Sequence, residues 1–475
     1  MLAGLLPNIV NLFLLPFYTR AIPPSDYGIN ALVSTTCSFL ASFSGLQLGS
    51  ALTRFYVTRE GQSLRRYFST LFWFYLAVTL LIFLFLQLAG PWMTQNLFGN
   101  SAFPFHPYLF LGSFQFLFMG LTAFLNIALR MQERGGRFLA ISLTYTSIDF
   151  AVGIYLVLVR DMGIEGLLTA RAISSGVYVL LLLCAVRSLF TWGFDRKGLW
   201  ESIRFSLPTI PHSMANTVFN FADKFILGLF LNKSSVGLYD LANRFSRVFQ
   251  QAITAFERAY VPDFIRRSEA DKAETALYMH SLISKWTVLT VLAGIGMTLY
   301  AEEIIRLMAA PEYRDAYGIV PVLVSGCIMR GFYYFPAHAI LFEKRTALIP
   351  VITVTSGILN ILLNLWLIPL FGSVMVAAWT TTGSLAFSFL LSWILVRPYY
   401  RFAWPWKTIL AMLAAMGLSI GLAFQIPNEN IWMGLLWKTA FLAALLALLV
   451  GVNAGGLRED LMRILSTALP SRRRS

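Results

Sequence analysis

Fourteen apolar stretches, each close to one bilayer crossing in length, follow one another along the chain. They cover residues 2–19, 28–53, 69–90, 105–129, 138–159, 164–186, 205–231, 235–257, 286–301, 317–342, 347–369, 372–396, 408–425 and 431–453. About 20 apolar residues in helical conformation span a hydrocarbon core, so the pattern predicts an all-α polytopic membrane protein of about 14 transmembrane helices. The connections are short. The longest, around residues 258–285, contains the charged run from Arg266 to Glu274 and reads as a solvated helical linker. None is large enough to fold as a separate extramembrane domain.

The pattern also looks duplicated. "DYGINAL" (Asp26 to Leu32) opens the second span and "SVGLYDL" (Ser235 to Leu241) opens the eighth, with Gly28 and Gly237 209 residues apart. Gly163 and Gly372, which precede the sixth and twelfth spans, stand at the same separation. The expected organisation is a six-helix bundle over 1–190, a second six-helix bundle over 200–397, an additional helix pair over 405–455 and a basic tail over 456–475. Repeats with an even helix count keep one orientation, so their pseudo-axis runs along the membrane normal, and a binding site is expected at their mutual interface.

Several spans break the apolar pattern. In the eighth, Asp240, Arg244, Arg247, Gln251, Thr254 and Arg258 recur at steps of four and three, which places them on one helical face. A charge at mid-membrane costs about 2.5–3.5 kcal/mol on insertion scales. Either neighbouring helices neutralise this stripe, with Asp240 and Arg244 as an i,i+4 pair, or it lines a water-filled cavity that attracts an anion. The seventh span carries His212, Asn216, Asn220 and Asp223 at steps of four, four and three, with Lys224 beside the last. Such groups serve as interhelical hydrogen bonds or as cavity lining, and the same choice applies to Asn360 and Asn364. Arg171 in the sixth span and Arg330 with His338 in the tenth are further embedded groups. Asp149 in the fifth is the most isolated carboxylate, hence either a proton or cation coupling site or half of a buried pair, with Arg171 as one partner. The candidate anion-binding residues are therefore Arg244, Arg247, Arg171, Lys224, Arg330, Asn216 and Asn220. The candidate coupling or gating residues are Asp149, Asp223 and Asp240. Spans 13 and 14 carry only Lys438 and are expected to face lipid or form an apolar groove.

Composition changes the picture in one respect. The 475 residues are 57% hydrophobic and 13% charged, yet the formal charge is +14. With a cytoplasmic N-terminus, 26 of the 37 Lys and Arg fall in cytoplasmic loops and the tail, against 5 on the other side. That bias fixes the orientation and the even span count. The excess of base is topological, with a share for anionic lipid headgroups, and requires no nucleic acid. Cys37, Cys184 and Cys327 lie singly in apolar runs and suggest neither disulfides nor a metal site. The N-terminus has no basic n-region and no A-x-A-like site, so no removable leader is expected. P-loop, HExxH, CxxC and GxSxG patterns are absent. The chain reads as a non-enzyme without cofactor, driven by an ion gradient, the membrane potential or consumption of its product.

"LPFYTRAIPPSDYGINALVSTTCSFLASFSGLQLGSALTRFY" (Leu15 to Tyr56) resembles the opening of the bacterial polysaccharide-transporter proteins, and "FADKFILGLFLNKSSVGLYDLANRFSRV" (Phe221 to Val248) resembles their second-half counterpart. These are Wzx-type flippases of the superfamily that includes MATE exporters and MurJ. The resemblance implies movement of an undecaprenyl-diphosphate-linked oligosaccharide, an O-antigen or exopolysaccharide repeat unit, from the cytoplasmic to the periplasmic leaflet of the bacterial inner membrane. Both termini would be cytoplasmic. The expected partners are the lipid-linked substrate, membrane lipids, and a glycan polymerase and chain-length regulator. The first span has no charge before Arg20, where MurJ-like proteins carry arginines, and this lowers the lipid II flippase assignment. A MATE-like cation-coupled antiporter would want an acidic cavity, and a membrane glycan polymerase or ligase would want a sizeable periplasmic loop.

Overall fold

The structure is a computed structural model that describes residues 14–133, 135–207, 210–425 and 431–451. Every regular element among the described residues is helical. Thirteen of the fourteen expected spans coincide with helices, and the first lies largely outside the described residues. Among the described residues, nine helices are long and apolar enough on their own to cross a bilayer. The Pro24–Ser44, Ile210–Phe230 and Lys233–Ala270 helices are not among these nine. The last two carry the polar stripes. The protein is thus an all-α, multi-pass membrane protein.

One expected element is drawn differently by the backbone. The span at 28–53 is broken, because Leu46 and Gln47 adopt left-handed φ values of 38° and 55°. The Pro24–Ser44 helix ends there, and Leu48–Tyr56 starts anew. Leu48 and Leu52 of the short helix are buried with Phe68, Phe72, Phe124 and Leu182, so packing holds the break in place. The linker at 258–285 is helical, as its charged run suggests, and almost continuous. Lys233–Ala270 runs for 38 residues, about 57 Å at 1.5 Å per residue, far beyond a hydrocarbon core of about 30 Å. A single residue, Asp271, then joins it to Lys272–Leu299, its carboxylate accepting from the amides of Ala273 at 2.7 Å and Glu274 at 3.2 Å. In the protruding segment Arg267 and then Arg266 hydrogen-bond Asp263 and hold its carboxyl down at about 2.

Two compact units are present. One comprises the described residues up to Leu241 together with Met308–Tyr313 and Gly357–Ala377. Its aromatic core is closed at one end by Arg59. That guanidinium reaches Asp195 at 2.5 Å and Glu201 at 3.0 Å while lying 4.2 Å over the Tyr67 ring. The Arg196–Ser206 helix is docked by this cluster and by Tyr67 on Ser202 at 2.8 Å. The other unit comprises Ala242–Leu307, Arg314–Ser356 and the described residues from Ala378 onward. Trp286 meets Phe332 and Phe335 edge to face, and Phe332 packs at a tilt on Phe389. Trp406–Gln425 packs along Lys272–Leu299, and Lys438 of the last helix is bonded to Glu303 at 2.6 Å.

The glycines of the duplicated pattern have matching roles. Gly163 and Gly372 both stand in the left-handed region, at φ 52° and 60°. Gly28 and Gly237 meet each other. A β-carbon on Gly28 would stand 1.9 Å from the Lys233 carbonyl oxygen, and one on Gly237 would stand 2.2 Å from that of Pro24. Lys233 and Pro24 are themselves 209 positions apart, so the Pro24–Ser44 and Lys233–Ala270 helices cross about a local two-fold. Small residues permit such backbone approach in membrane bundles. Gly28→Ala or Gly237→Ala should therefore force the helices apart and destabilise by about 1–3 kcal/mol. Gly383→Ala, where nothing lies within 4 Å of the new methyl, should not. Thermal unfolding of the detergent-solubilised protein compares the three.

Candidate functional site

The Ile210–Phe230 and Lys233–Ala270 helices run back to back through a short turn, and residues sixteen apart meet across it. Lys224 Nζ donates to Asp240 Oδ1 at 2.6 Å, and Tyr239 Oη donates to Asp223 Oδ2 at 2.6 Å. From the Leu348–Phe371 helix, Asn364 Nδ2 reaches Asp223 Oδ1 at 2.6 Å and Asn360 Oδ1 at 3.4 Å. All six side chains are buried, with Asp223 and Lys224 each 4% and Asp240 2% exposed. Burial of this kind is tolerated only with complete pairing. Asp240 therefore has an ionic partner, Lys224, that the helical spacing alone did not suggest. Lys224 is committed to that carboxylate rather than presented outward.

Along the Lys233–Ala270 helix the stripe opens progressively. Asp240 is buried, Arg244 is half-buried, Arg247 is exposed, Gln251 and Thr254 are half-buried, and Arg258 is exposed. The cationic members thus stand further toward the C-terminal end of the helix and the anionic member near its N-terminal end. Asn216, Asn220 and His212 lie on the Ile210–Phe230 helix, but their side chains fall outside the described residues.

A second polar cluster occupies the first half of the chain. Arg171 Nη1, midway along Gly163–Val186, donates to Asn30 Oδ1 at 2.6 Å and lies 3.5 Å from Ser34 Oγ. Asp149 has Arg171 and Ser174 as its charged and polar neighbours. Its Oδ1 is buried with no hydrogen-bond partner among the described residues, and so is the Asn30 Nδ2 amide. The Tyr18 hydroxyl sits against Gly153, 2.2 Å from where a β-carbon would stand, one turn beyond Asp149. Arg171 hydrogen-bonds the neutral Asn30 and Ser34, and the carboxylate keeps an unsatisfied oxygen beside this cation. Among the described residues no group of three or more His, Cys, Asp or Glu could hold a metal ion.

In the other unit Arg330 is half-buried beside Tyr333 and Tyr334, and His338 Nε2 donates to Glu257 Oε1 at 2.8 Å. Glu257, Tyr239, Asn30 and Tyr18 are the members that sequence reasoning missed. The signal available for the first was its place beside Arg258. For Asn30 it was the four-residue step to Ser34.

The profile of a family described as "Polysaccharide biosynthesis protein" matches residues 17–318. The chain is 25% identical over 294 residues to the "Probable low-salt glycan biosynthesis flippase Agl15" of Haloferax volcanii, covering 59% of this chain and 55% of that protein. It is 24% identical over 311 residues to the "Succinoglycan biosynthesis transport protein ExoT" of Rhizobium meliloti, covering 65% and 60%. The matches thus span little more than half the length of these two relatives. Among solved structures, the lipid II flippase MurJ in an inward closed conformation superposes with a TM-score of 0.75 at 15% identity, covering 97% of this chain and 99% of that one. An inward-facing multidrug MATE transporter superposes at 0.68 and 13%, covering 86% and 96%. At these identities the likeness concerns the fold.

The buried quartet makes a stability prediction. Removing one partner of a buried pair costs about 3–5 kcal/mol, whereas apolar replacement of both is close to neutral. Lys224→Met or Asp240→Leu alone should lower the yield of folded protein and its melting temperature, and the double variant should recover most of the loss. Arg247→Ala should melt near the wild type. Fluorescence-detected size exclusion with a thermal challenge distinguishes these outcomes.

Proposed function

Because the chain belongs to the polysaccharide biosynthesis protein family, we propose that it is a flippase for a lipid-linked oligosaccharide, moving an undecaprenyl-diphosphate-linked repeat unit from the cytoplasmic to the periplasmic leaflet by alternating access. The observation that carries this reading is the graded stripe of the Lys233–Ala270 helix, buried at Asp240 and exposed at Arg247 and Arg258. A diphosphate is doubly anionic, and guanidinium groups bind such oxygens through paired, charge-assisted hydrogen bonds. Cations accessible toward the cytoplasmic end lower the cost of drawing that headgroup off its leaflet, while the buried quartet holds the helix that carries them. Arg171, Arg330, Asn216 and Asn220 are assigned to the sugars and phosphates along the path, and Lys224 to the pair that fixes the wall. Asp223 and Asp240 are assigned to gating. The family, the flippase and transport names of its relatives and the transporter fold support this reading and a non-enzymatic role. The site of action is the inner membrane with both termini cytoplasmic, where a glycan polymerase and chain-length regulator would receive the product.

A cation-coupled small-molecule antiporter is the second reading, and Asp149 is the observation that favours it. In the flippase the same carboxylate serves as the coupling site, its orphan oxygen taking up and releasing a proton or sodium ion beside Arg171.

Arg244→Ala with Arg247→Ala should abolish surface glycan while the lipid-linked precursor accumulates inside. A hydrogen bond to a charged group contributes about 1.5–3 kcal/mol, so each truncation should weaken headgroup binding roughly ten- to hundredfold. Quantifying surface glycan and precursor in cells that express the variants at normal levels tests this, and full complementation by the double variant excludes the role. Asp149→Asn should slow headgroup translocation in proteoliposomes under a proton or sodium gradient while leaving binding nearly unchanged. Gradient-driven transport equal to wild type would remove Asp149 from coupling.

A further inference from the structure

The segment between the Val374–Val396 and Trp406–Gln425 helices lies on the cytoplasmic side by its charge and reads "RPYYRFAWPW" from Arg397 to Trp406. Tyr400, Phe402, Trp404 and Trp406 alternate along it, as side chains of an extended chain do on one face. Consecutive ring centroids stand 4.8, 5.7 and 5.7 Å apart, and Trp393 closes the row 5.0 Å from Trp406. The wall is fixed from behind. Trp404 packs on Phe389 at 5.3 Å, the Tyr400 hydroxyl pairs with Ser268 Oγ at 3.1 Å, and His280 Nδ1 donates to the Ala403 carbonyl at 2.7 Å. In front of it is a cavity of about 510 Å³ with Arg397 and Arg401 at its rim. The Arg397 guanidinium carbon is held 3.7 Å over the Trp393 ring, and both arginines are exposed. Neither has a carboxylate partner among the described residues.

Two unneutralised guanidiniums over an anchored aromatic wall suit a ligand that is a phosphate anion at one end and hydrocarbon at the other. Resting on the flippase reading, we propose that this cavity is a docking site for the diphosphate and first isoprene units of the polyprenyl carrier, occupied in the cytoplasmic leaflet before translocation. The two arginines match the two phosphates, and the exposed flank of the adjoining helix, at Leu410 and Leu418, continues toward the acyl region.

The test uses the full-length protein in nanodiscs and a photoreactive undecaprenyl diphosphate without sugar, its label on the first isoprene unit. Labelled peptides should map to residues 393–406. Labelling there should fall at least tenfold in Arg397→Gln/Arg401→Gln, fall less in Arg397→Lys/Arg401→Lys, and survive a large excess of phosphatidylglycerol. Labelling elsewhere only, or undiminished by the glutamine pair, overturns the proposal. Suppression by phosphatidylglycerol also overturns it, and makes the cavity a general phospholipid site. Headgroup translocation by the wild type is measured in parallel. If translocation occurs while this labelling fails, only the docking site is lost. If the wild type neither labels nor translocates, the flippase reading falls with it.

Discussion

The constraint on which the structure turns is the cost of keeping charge inside an apolar bundle. The chain meets it at one level by complete pairing, with Lys224 on Asp240 and Asp223 held by Tyr239 and Asn364. Desolvation makes such a network a weak source of net stability but a strong enforcer of register, since any slip leaves a charge unpaired in a medium of low dielectric. The partners are sixteen residues apart on both rungs, so the turn between the two helices cannot change length without breaking both. Further along its length the same helix leaves its cations half-buried or exposed.

The glycine crossing sets where these networks begin. Asn30 lies two residues beyond Gly28 and Tyr239 two beyond Gly237, and the two are themselves 209 apart. Each sits just past the contact and each hydrogen-bonds an ionisable side chain, but with opposite sense. Asn30 accepts from the half-buried Arg171 cation, whereas Tyr239 donates to the buried Asp223 anion. The two positions thus share their place beside the crossing and differ in chemistry, one serving a cation and the other an anion.

How much of this was legible follows the range of the interactions involved. Span positions depend on local composition and periodicity, and thirteen of them can be read directly against helices. The break at Leu46 and Gln47 was hidden because no proline marks it and the packing of Leu48 and Leu52 holds it. The polar residues themselves were visible as interruptions, including Asp223, Asp240, Asn364 and Arg171. Their partners were less so. Helical spacing proposes Arg244 for Asp240, but a residue sixteen positions earlier approaches from another helix. Arg171 is the charged neighbour of Asp149, and it also hydrogen-bonds Asn30 and Ser34, which spacing does not foretell. Tyrosine and asparagine in apolar runs carry no sign of which charge they will serve, since that is decided by tertiary approach.

The distribution of charge also bears on how a translocation path can both accept and release a headgroup. A guanidinium buried without a partner would bind a diphosphate so strongly that leaving would become the slow step, because in a low-dielectric site the desolvated cation has nothing else to turn to. A cation already committed to a carboxylate cannot bind at all without first giving up that pair. Between these limits lies a side chain such as Arg244, half-buried within one turn of Asp240. On the proposed flippase reading, a headgroup arriving there would compete with interactions already in place, and on its departure those interactions would be regained. Net affinity would then be a difference between two comparable terms and could stay modest while each contact remained strong. For a flippase of the proposed kind, which must discharge what it captures, a run from buried to exposed charge along one helix is a more useful arrangement than a uniformly exposed cationic patch.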